Sequence, residues 1–246
     1  MPTFRHGKNF TVLIDTYDLS TMFKSATMNR TVDMAETTAF QSTVKTWVPG
    51  IPNGTMDLQG MFSGAAGEVD AVLSGVLGAA GPYVVSIGPD GSMDEARRIY
   101  TGNAHAATYG VQGSVSDMVS VTANFQATGG FQSGLSLSDP TTARTATFNG
   151  TAVDYDASDT VGGFGVLQVI SNTLDNSAVV KIQTATTSGG SYSDLITFTT
   201  VGTGATAAEL VSVAAGTTKN QFVRVQLTTS GTGSIYLFAA YCKNPG

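Results

Sequence analysis

At 246 residues the chain has room for one large domain or two ordinary ones, and with 41% hydrophobic residues it can bury real cores, which excludes wholesale disorder. Twelve Lys+Arg against 18 Asp+Glu leave a net charge of −6, and the absence of any basic run excludes a surface built to grip nucleic acid. No segment approaches the roughly 20 apolar residues of a membrane-spanning helix, and the single cysteine, Cys242, excludes an internal disulfide framework and a cysteine-based zinc site.

Only 12% of residues are charged, while glycine reaches 29. That balance suits a β-rich chain with many turns, and one that hides surface against copies of itself, because charge is the group least easily buried. The opening MPTFRHGKNF carries no apolar signal core, so synthesis in a reducing cytosol is expected.

Taken in chain order, Thr11 to Ile14 starts a β-branched strand, and Asp15 with Asp18 begins a turn. Asp33 to Gly54 reads as a long connection, with Pro49, Gly50, Pro52, Asn53 and Gly54 crowded at its end; a connection that long is uncommon unless it has a job. Residues 55–62 alternate, with Met56, Leu58 and Phe62 on one face and Thr55, Asp57 and Gln59 on the other. Within Gly67 to Gly78, Val69, Val72, Leu73, Val76 and Leu77 form one helical stripe; Glu68 and Asp70 sit in the first turn and Gly78 stops it. Further strands are expected at Tyr83–Ile87, near Ala104–Val111 and at Val119–Ala127.

The segment Gly129 to Thr142, GGFQSGLSLSDPTT, has the composition of a linker. The charge also changes there: residues 1–140 hold 12 acids and 7 bases, and the remainder 6 acids and 5 bases. The reading is therefore two domains, 1–138 and 139–246. The second half offers strands at Ala143–Phe148, Phe164–Ile170, Ala178–Ala185, Leu195–Thr200, Ala207–Val213, Gln221–Thr228 and Ser234–Cys242, split by Gly and Ser clusters. Short strands at that spacing, with no helix, indicate a β-sandwich or jelly roll. The fold class is mainly β: a sheet or sandwich with one helix, then an all-β sandwich.

Chemistry finds no foothold. His6 and His105 lack convergent partners for catalysis or metal binding, and no nucleophile elbow, zinc-protease motif, phosphate loop or dinucleotide fingerprint occurs. Asp154, Asp156 and Asp159 form the tightest acid cluster, but an EF-hand starting at Asp154 would place Asp159 where glycine is needed and Gly165 where glutamate is needed. A solvated loop is the simpler reading, and a looser calcium site the sharper one. Tyr192, Tyr236, Phe238 and Tyr241 could stack on sugar rings, although Tyr236 and Phe238 fall in an apolar strand where core packing is favoured. Arg97 and Arg98 come after Asp94 and Glu95, so local ion pairing explains them. Catalytic, cofactor and metal residues are accordingly none, and the chain is read as no enzyme.

Three segments carry a resemblance: FRHGKNFTVLIDTYDLS at the start, then SATMNRTVDMAETTAFQSTVKTWVPGIPNGTMDLQG, and GEVDAVLSGVLG. Over roughly residues 4–135 their arrangement resembles the tail tube (major tail) proteins of long-tailed bacteriophages. The most characteristic part is Asp33 through Gly60, with Glu36, Thr37, Thr38, Phe40, Lys45 and the Pro49-Gly50 pair. The pieces VVKIQTATTSGGSYSDLITFTTV and VRVQLTTS are similar to the jelly-roll or Ig-like sandwich appendages that decorate some phage tail and capsid proteins.

The resemblance implies a virion protein made in the host cytoplasm, in which six subunits form a ring around a β-barrel channel and rings stack into a tube. Asp33–Gly54 matches the loop that reaches the neighbouring ring. The partners implied are other copies of the chain and further tail proteins (tape measure, terminator, distal tail), with DNA passing through the lumen without specific binding. The second domain would project outward, where it could touch a host-surface glycan weakly. The rivals are a glycan-binding virion adhesin and a capsid decoration protein.

Overall fold

The computed structural model describes residues 7–89, 91 and 93–244; His6 lies outside them. After a 3-10 turn at Gly7–Asn9 the chain forms β1 (Thr11–Ile14), β2 (Tyr17–Asp18), β3 (Phe23–Glu36), β4 (Trp47–Met61), helix α1 (Val69–Val76), β5 (Tyr83–Gly88), β6 (Arg98–Ser114) and β7 (Asp117–Ser138). Eight more strands complete it: β8 (Phe148–Asn149), β9 (Val153–Asp154), β10 (Gly163–Asn172), β11 (Ala178–Ala185), β12 (Ser193–Thr197), β13 (Ala207–Val213), β14 (Phe222–Thr229) and β15 (Ile235–Lys243). The fold is mainly β with antiparallel ladders, as the sequence implied, and α1 is the α-helix among the described residues.

Two compact units divide the chain. One comprises Met1–Ser20, Val84–Thr101 and Gln132–Gly246; the other comprises Thr21–Tyr83 and Gly102–Phe131.

In the first unit, β10 pairs with β13 and β15, and β15 pairs with the end of β7 through Leu135, Ser136 and Ser138. A second sheet runs β12-β11-β14-β8, with β9 also on β14. Period-2 alternation decides the inward faces. Along β14, Val223, Val225 and Leu227 are buried while Arg224 and Gln226 face outward. Strand β15 instead reads as one apolar run, IYLFAAYC, because both its faces are covered. Leu237, Ala239 and Tyr241 join a core with Val153, Leu167, Val180 and Val225, whereas Phe238, Ala240 and Cys242 join another with Leu13, Val84, Ile99 and Val166. Each such large side chain contributes about 1.5–3 kcal/mol of burial.

This arrangement corrects the seam expected after residue 138. Gly129 to Ser138 is strand, not linker, and Leu137 is fully buried among residues 153–241. The composition misled because Gly129 and Gly130 serve the strand itself. Both have positive φ, 80° and 78°, a conformation glycine adopts without penalty.

In the second unit, β4 lies between β3 and β7, and its Met56 and Leu58 are buried with Val121, Ala123 and Phe125 of β7. Helix α1 is shorter than its stripe suggested. Val69, Val72, Leu73 and Val76 are buried, but Leu77 is 42% exposed and caps the helix in an extended conformation. Tyr109 on β6 donates a 2.6 Å hydrogen bond to Asp70, and burial, followed by this bond, holds its hydroxyl well above the usual tyrosine range. Phe62, expected inside with Met56 and Leu58, is 40% exposed one residue past β4.

The Leu137 contacts give a direct test of the corrected division. Leu137→Ala should cost about 2–5 kcal/mol and lower amide protection in β10 and β14. Independent domains split at 138 would leave that protection unchanged.

Candidate functional site

Strands β3 and β4 form a hairpin that continues past the sheet supporting it. The pairing runs from Phe23↔Gly60 to Glu36↔Trp47, roughly 45 Å at about 3.3 Å per residue. Strand β7 covers the other edge of β4 only from Thr55 to Met61. From about Thr31↔Asn53 outward the hairpin is therefore a two-stranded arm. The stretch Asp33–Gly54, expected as a loop, is mostly strand, and only residues 37–46 connect the two sides. Pro49 and Pro52 read as turn residues in sequence. Here they stand opposite Met34 and Val32 in β4, which an arm tolerates because the outer edge of β4 needs no donor there. The ladder slips at Asp33, between Val32 and Met34. At the base, Gly60 is required, since a Cβ there would collide with the Met22 carbonyl.

The arm is apolar where water meets it. Val32, Met34, Phe40, Val44, Trp47, Val48 and Ile51 are all exposed, Phe40 completely. Polar contacts hold the tip in shape: Thr37 N–H donates to the Thr46 carbonyl at 2.9 Å, Thr46 N–H to Thr38 Oγ1 at 3.1 Å, and Lys45 Nζ to Glu36 Oε2 at 3.1 Å. Lys45 also lies 5.7 Å from the Trp47 ring centre. These contacts are exposed and weak individually, and an isolated two-stranded hairpin is at best marginal in water. An exposed apolar surface of this extent is of the kind that marks interaction sites.

A second exposed apolar group lies in the same unit, at the turn from β6 to β7: Val111, Val115, Met118 and Val119. Between these features the sheet face is polar and grooved, with Thr27, Asp57, Thr108, Thr122 and Asn124 lining it and Asn124 Nδ2 donating to Asp57 Oδ1 at 2.7 Å.

The residues singled out for chemistry do not converge on one another. His105 is half-buried on β6. Glu95 pairs with Arg144 at 3.6 Å, a longer-range partner than the neighbours expected from sequence. Phe238 and Tyr241 are core residues and Tyr236 is half-buried on the same strand, so these three and Tyr192 form no sugar platform. The acidic cluster is dispersed. Asp154 accepts from Asp156 N–H and from Gln221 Nε2, while Asp159 turns to Lys219 at 3.0 Å. Among the described residues, no three His, Cys, Asp or Glu side chains gather as a metal site.

Lys219 is the surprise of that cluster. It is 1% exposed, donates to the Ala157 carbonyl at 2.9 Å and lies 5.0 Å from the Tyr155 ring centre. Tyr155 in turn donates to the Tyr241 carbonyl at 2.8 Å and meets the Tyr241 ring edge-on. Burial, then the nearby Asp159 charge, pushes the Tyr241 hydroxyl up to about 12. The paired backbones of Asp159 and Lys219 bond in both directions at 2.9 Å, so the aspartate is structural.

No protein-family model matches the chain, and no curated protein matches it. Among solved structures, it is similar to a chain in the virion of a native gene transfer agent (GTA) particle, with TM-score 0.43 and 16% identity over 52% of this chain and 97% of that one. It is similar to a chain in the tail of an empty GTA particle with C6 symmetry, with TM-score 0.42 and 15% identity over 52% and 97%. It is also similar to the Dit protein of SPP1, described as a hub of the adsorption apparatus in phages infecting Gram-positive hosts, with TM-score 0.39 and 11% identity over 96% and 99%.

Removal of the aspartate tests the buried pair. Asp159→Ala leaves the Lys219 ammonium buried without a counter-charge and should cost about 3 kcal/mol, whereas Asp159→Ala with Lys219→Met should recover much of that loss. Denaturant titration of both variants measures it.

Proposed function

We propose that the chain is a structural subunit of a phage-type tail that polymerises as stacked hexameric rings into a tube, leaving a channel for DNA delivery. The observation that carries this reading is the arm of β3 and β4, with seven large apolar side chains in water and outer backbone edges that no strand among the described residues pairs. The resemblance of the segment Asp33 through Gly60 to the tail tube family supports it, since that family reaches the next ring with the loop that Asp33–Gly54 matches.

The physics of such an assembly is simple. Closing strands around a ring removes free edges, which otherwise invite uncontrolled pairing. A head-to-tail contact that also stacks gives an open-ended filament. The unit that carries the arm, Thr21–Tyr83 with Gly102–Phe131, holds 6 acids against 3 bases, and an acidic lining would repel phosphates and keep DNA from sticking in transit. Tape-measure, terminator and distal tail proteins are the further partners of this reading, and the virion is its location.

Electron microscopy of the purified chain distinguishes the readings: tubes or rings support the proposal, and single particles under all conditions reject it in favour of an adhesin or decoration protein. Trp47→Glu with Ile51→Glu should abolish assembly while shifting the subunit's Tm little, because both side chains are exposed. Amides of residues 33–54 should exchange quickly in the free subunit and slowly after polymerisation; equal protection in both states counts against the arm as the joining element.

A further inference from the structure

The outer face of the sheet formed by β12, β11, β14 and β8 carries a ladder of polar side chains joined across four strands. Cross-strand register sets Lys181 beside Gln226 and Gln183 beside Arg224, while Asp194 stands beside Gln183 from β12 and Asn149 beside Gln226 from β8. The hydrogen bonds cross between β11 and β14 both ways and reach out to β12 and β8. Gln226 Nε2 donates to Asn149 Oδ1 at 2.9 Å, and Gln183 Nε2 donates to Gln226 Oε1 at 3.2 Å and to Asp194 Oδ1 at 2.8 Å. Arg224 donates through Nε and Nη2 to Gln183 Oε1 at 3.1 and 3.0 Å, and Lys181 Nζ donates to Asp194 Oδ2 at 2.6 Å.

The consequence is an asymmetry in what the face can offer. Every side-chain oxygen of the ladder already accepts a bond. Unused donors remain on Arg224 Nη1, on the Lys181 ammonium and on the Gln226 and Asn149 amides, since a guanidinium has five N–H groups, an ammonium three and an amide two. Charge is asymmetric too. Asp194 answers Lys181, and the bonds from Gln183 and then Lys181 hold its carboxyl below the usual range. Arg224 meets no carboxylate among the described residues: its guanidinium rests on the neutral Gln183 oxygen and on the Tyr192 ring, 3.8 Å from the ring centre. Tyr192 is itself fixed by a 3.0 Å bond to the Ser188 carbonyl. A half-buried, rigidly aimed guanidinium without a counter-charge is an expensive arrangement unless something completes it.

From this geometry we infer that the outer face of β8, β11, β12 and β14 binds an acidic saccharide, its anionic group seated on Arg224 with Lys181 as the diagonal neighbour, and its hydroxyl and ring oxygens accepting from the amides of Gln226 and Asn149. A saccharide fits better than a duplex nucleic acid. The patch is small, its net charge is only one positive unit, and the chain around it is acidic, whereas duplex binding needs many phosphate contacts. The acid paired with Phe222 at the start of β14, Asp154 of β9, is engaged by Gln221 and Asp156 N–H. The anion can be a carboxylate or a phosphate, because a guanidinium recognises both. This inference does not depend on tube formation: it concerns a sheet face that a lone subunit also presents.

Calorimetric titration of the full-length chain decides it, using tetragalacturonate, a mannose 6-phosphate oligomer, neutral maltoheptaose, inorganic phosphate and duplex DNA as probes. One or both acidic oligosaccharides should bind, more weakly as salt rises, and the better of them identifies the anion. Arg224→Gln should weaken that binding about tenfold or more, Lys181→Gln less, and Arg224→Lys should restore part of it. Lys24→Gln, an exposed cation on β3, should leave it unchanged. Thermal melting of each variant separates loss of binding from loss of fold. The inference is overturned if neither acidic oligosaccharide binds at millimolar concentration, if Arg224→Gln binds as the parent does, or if maltoheptaose, inorganic phosphate or DNA binds as tightly as the acidic oligosaccharides.

Discussion

A β-strand is half of a hydrogen-bonding arrangement, and β4 is a strand whose other half runs out part-way along. Between Thr55 and Met61 it has β3 on one side and β7 on the other, and its Met56 and Leu58 are buried. Toward Trp47 it has β3 alone, and its apolar side chains Trp47, Val48 and Ile51 are exposed. Backbone pairing within the hairpin satisfies one row of N–H and C=O groups on each strand and leaves the outer rows to water. The two prolines reduce the hazard by removing donors from the edge, but they do not remove the exposed Trp47, Val48 and Ile51. A surface of that kind is retained when something else is meant to lie on it.

The same low charge that marks the composition reappears as a pattern of polar economy. The first unit uses its few cations sparingly: Arg144 meets Glu95, Lys219 is buried against Asp159, and Lys181 with Arg224 shares one sheet face. Several buried polar side chains turn to backbone carbonyls instead of charges. Ser136 donates to the Met93 carbonyl at 2.7 Å, and Gln168 Nε2 to the Asp15 carbonyl at 2.7 Å. Stability thus rests on apolar cores and neutral hydrogen bonds, which high salt does not screen.

Local periodicity made much of the fold legible. The strands β1, β5, β10, β11, β13, β14 and β15 fall within a residue or two of their expected places, because alternation and bracketing turn residues are properties of a few neighbours. The features that escaped are those set by distant partners. Gly129 and Gly130 look like a linker unless one knows that β7 continues on to lie against β15. Pro49 through Gly54 looks like a turn unless β3 is seen to run opposite it. The Lys219–Asp159 pair joins residues sixty positions apart with no motif between them, and the Arg224 face exists only through the register of β11 with β14.

The arm and the ladder face differ in the physics by which each can recognise anything, and that difference sets what each is suited to. The arm offers area without direction: apolar side chains on a marginal two-stranded scaffold gain free energy from any well-fitting apolar surface, and permanence comes from repetition over many copies. The ladder offers direction without area. Its donors are held by cross-strand register and by one another, so little ordering remains to be done on binding, but few contacts are available. A single such contact is weak; an array of them along a polymer would be strong through multivalency, without any change in the subunit. On the proposed reading, an arm that joins copies of the chain and a preorganised face that gains from multiplication are therefore physically complementary, even though each can be tested and can fail without the other.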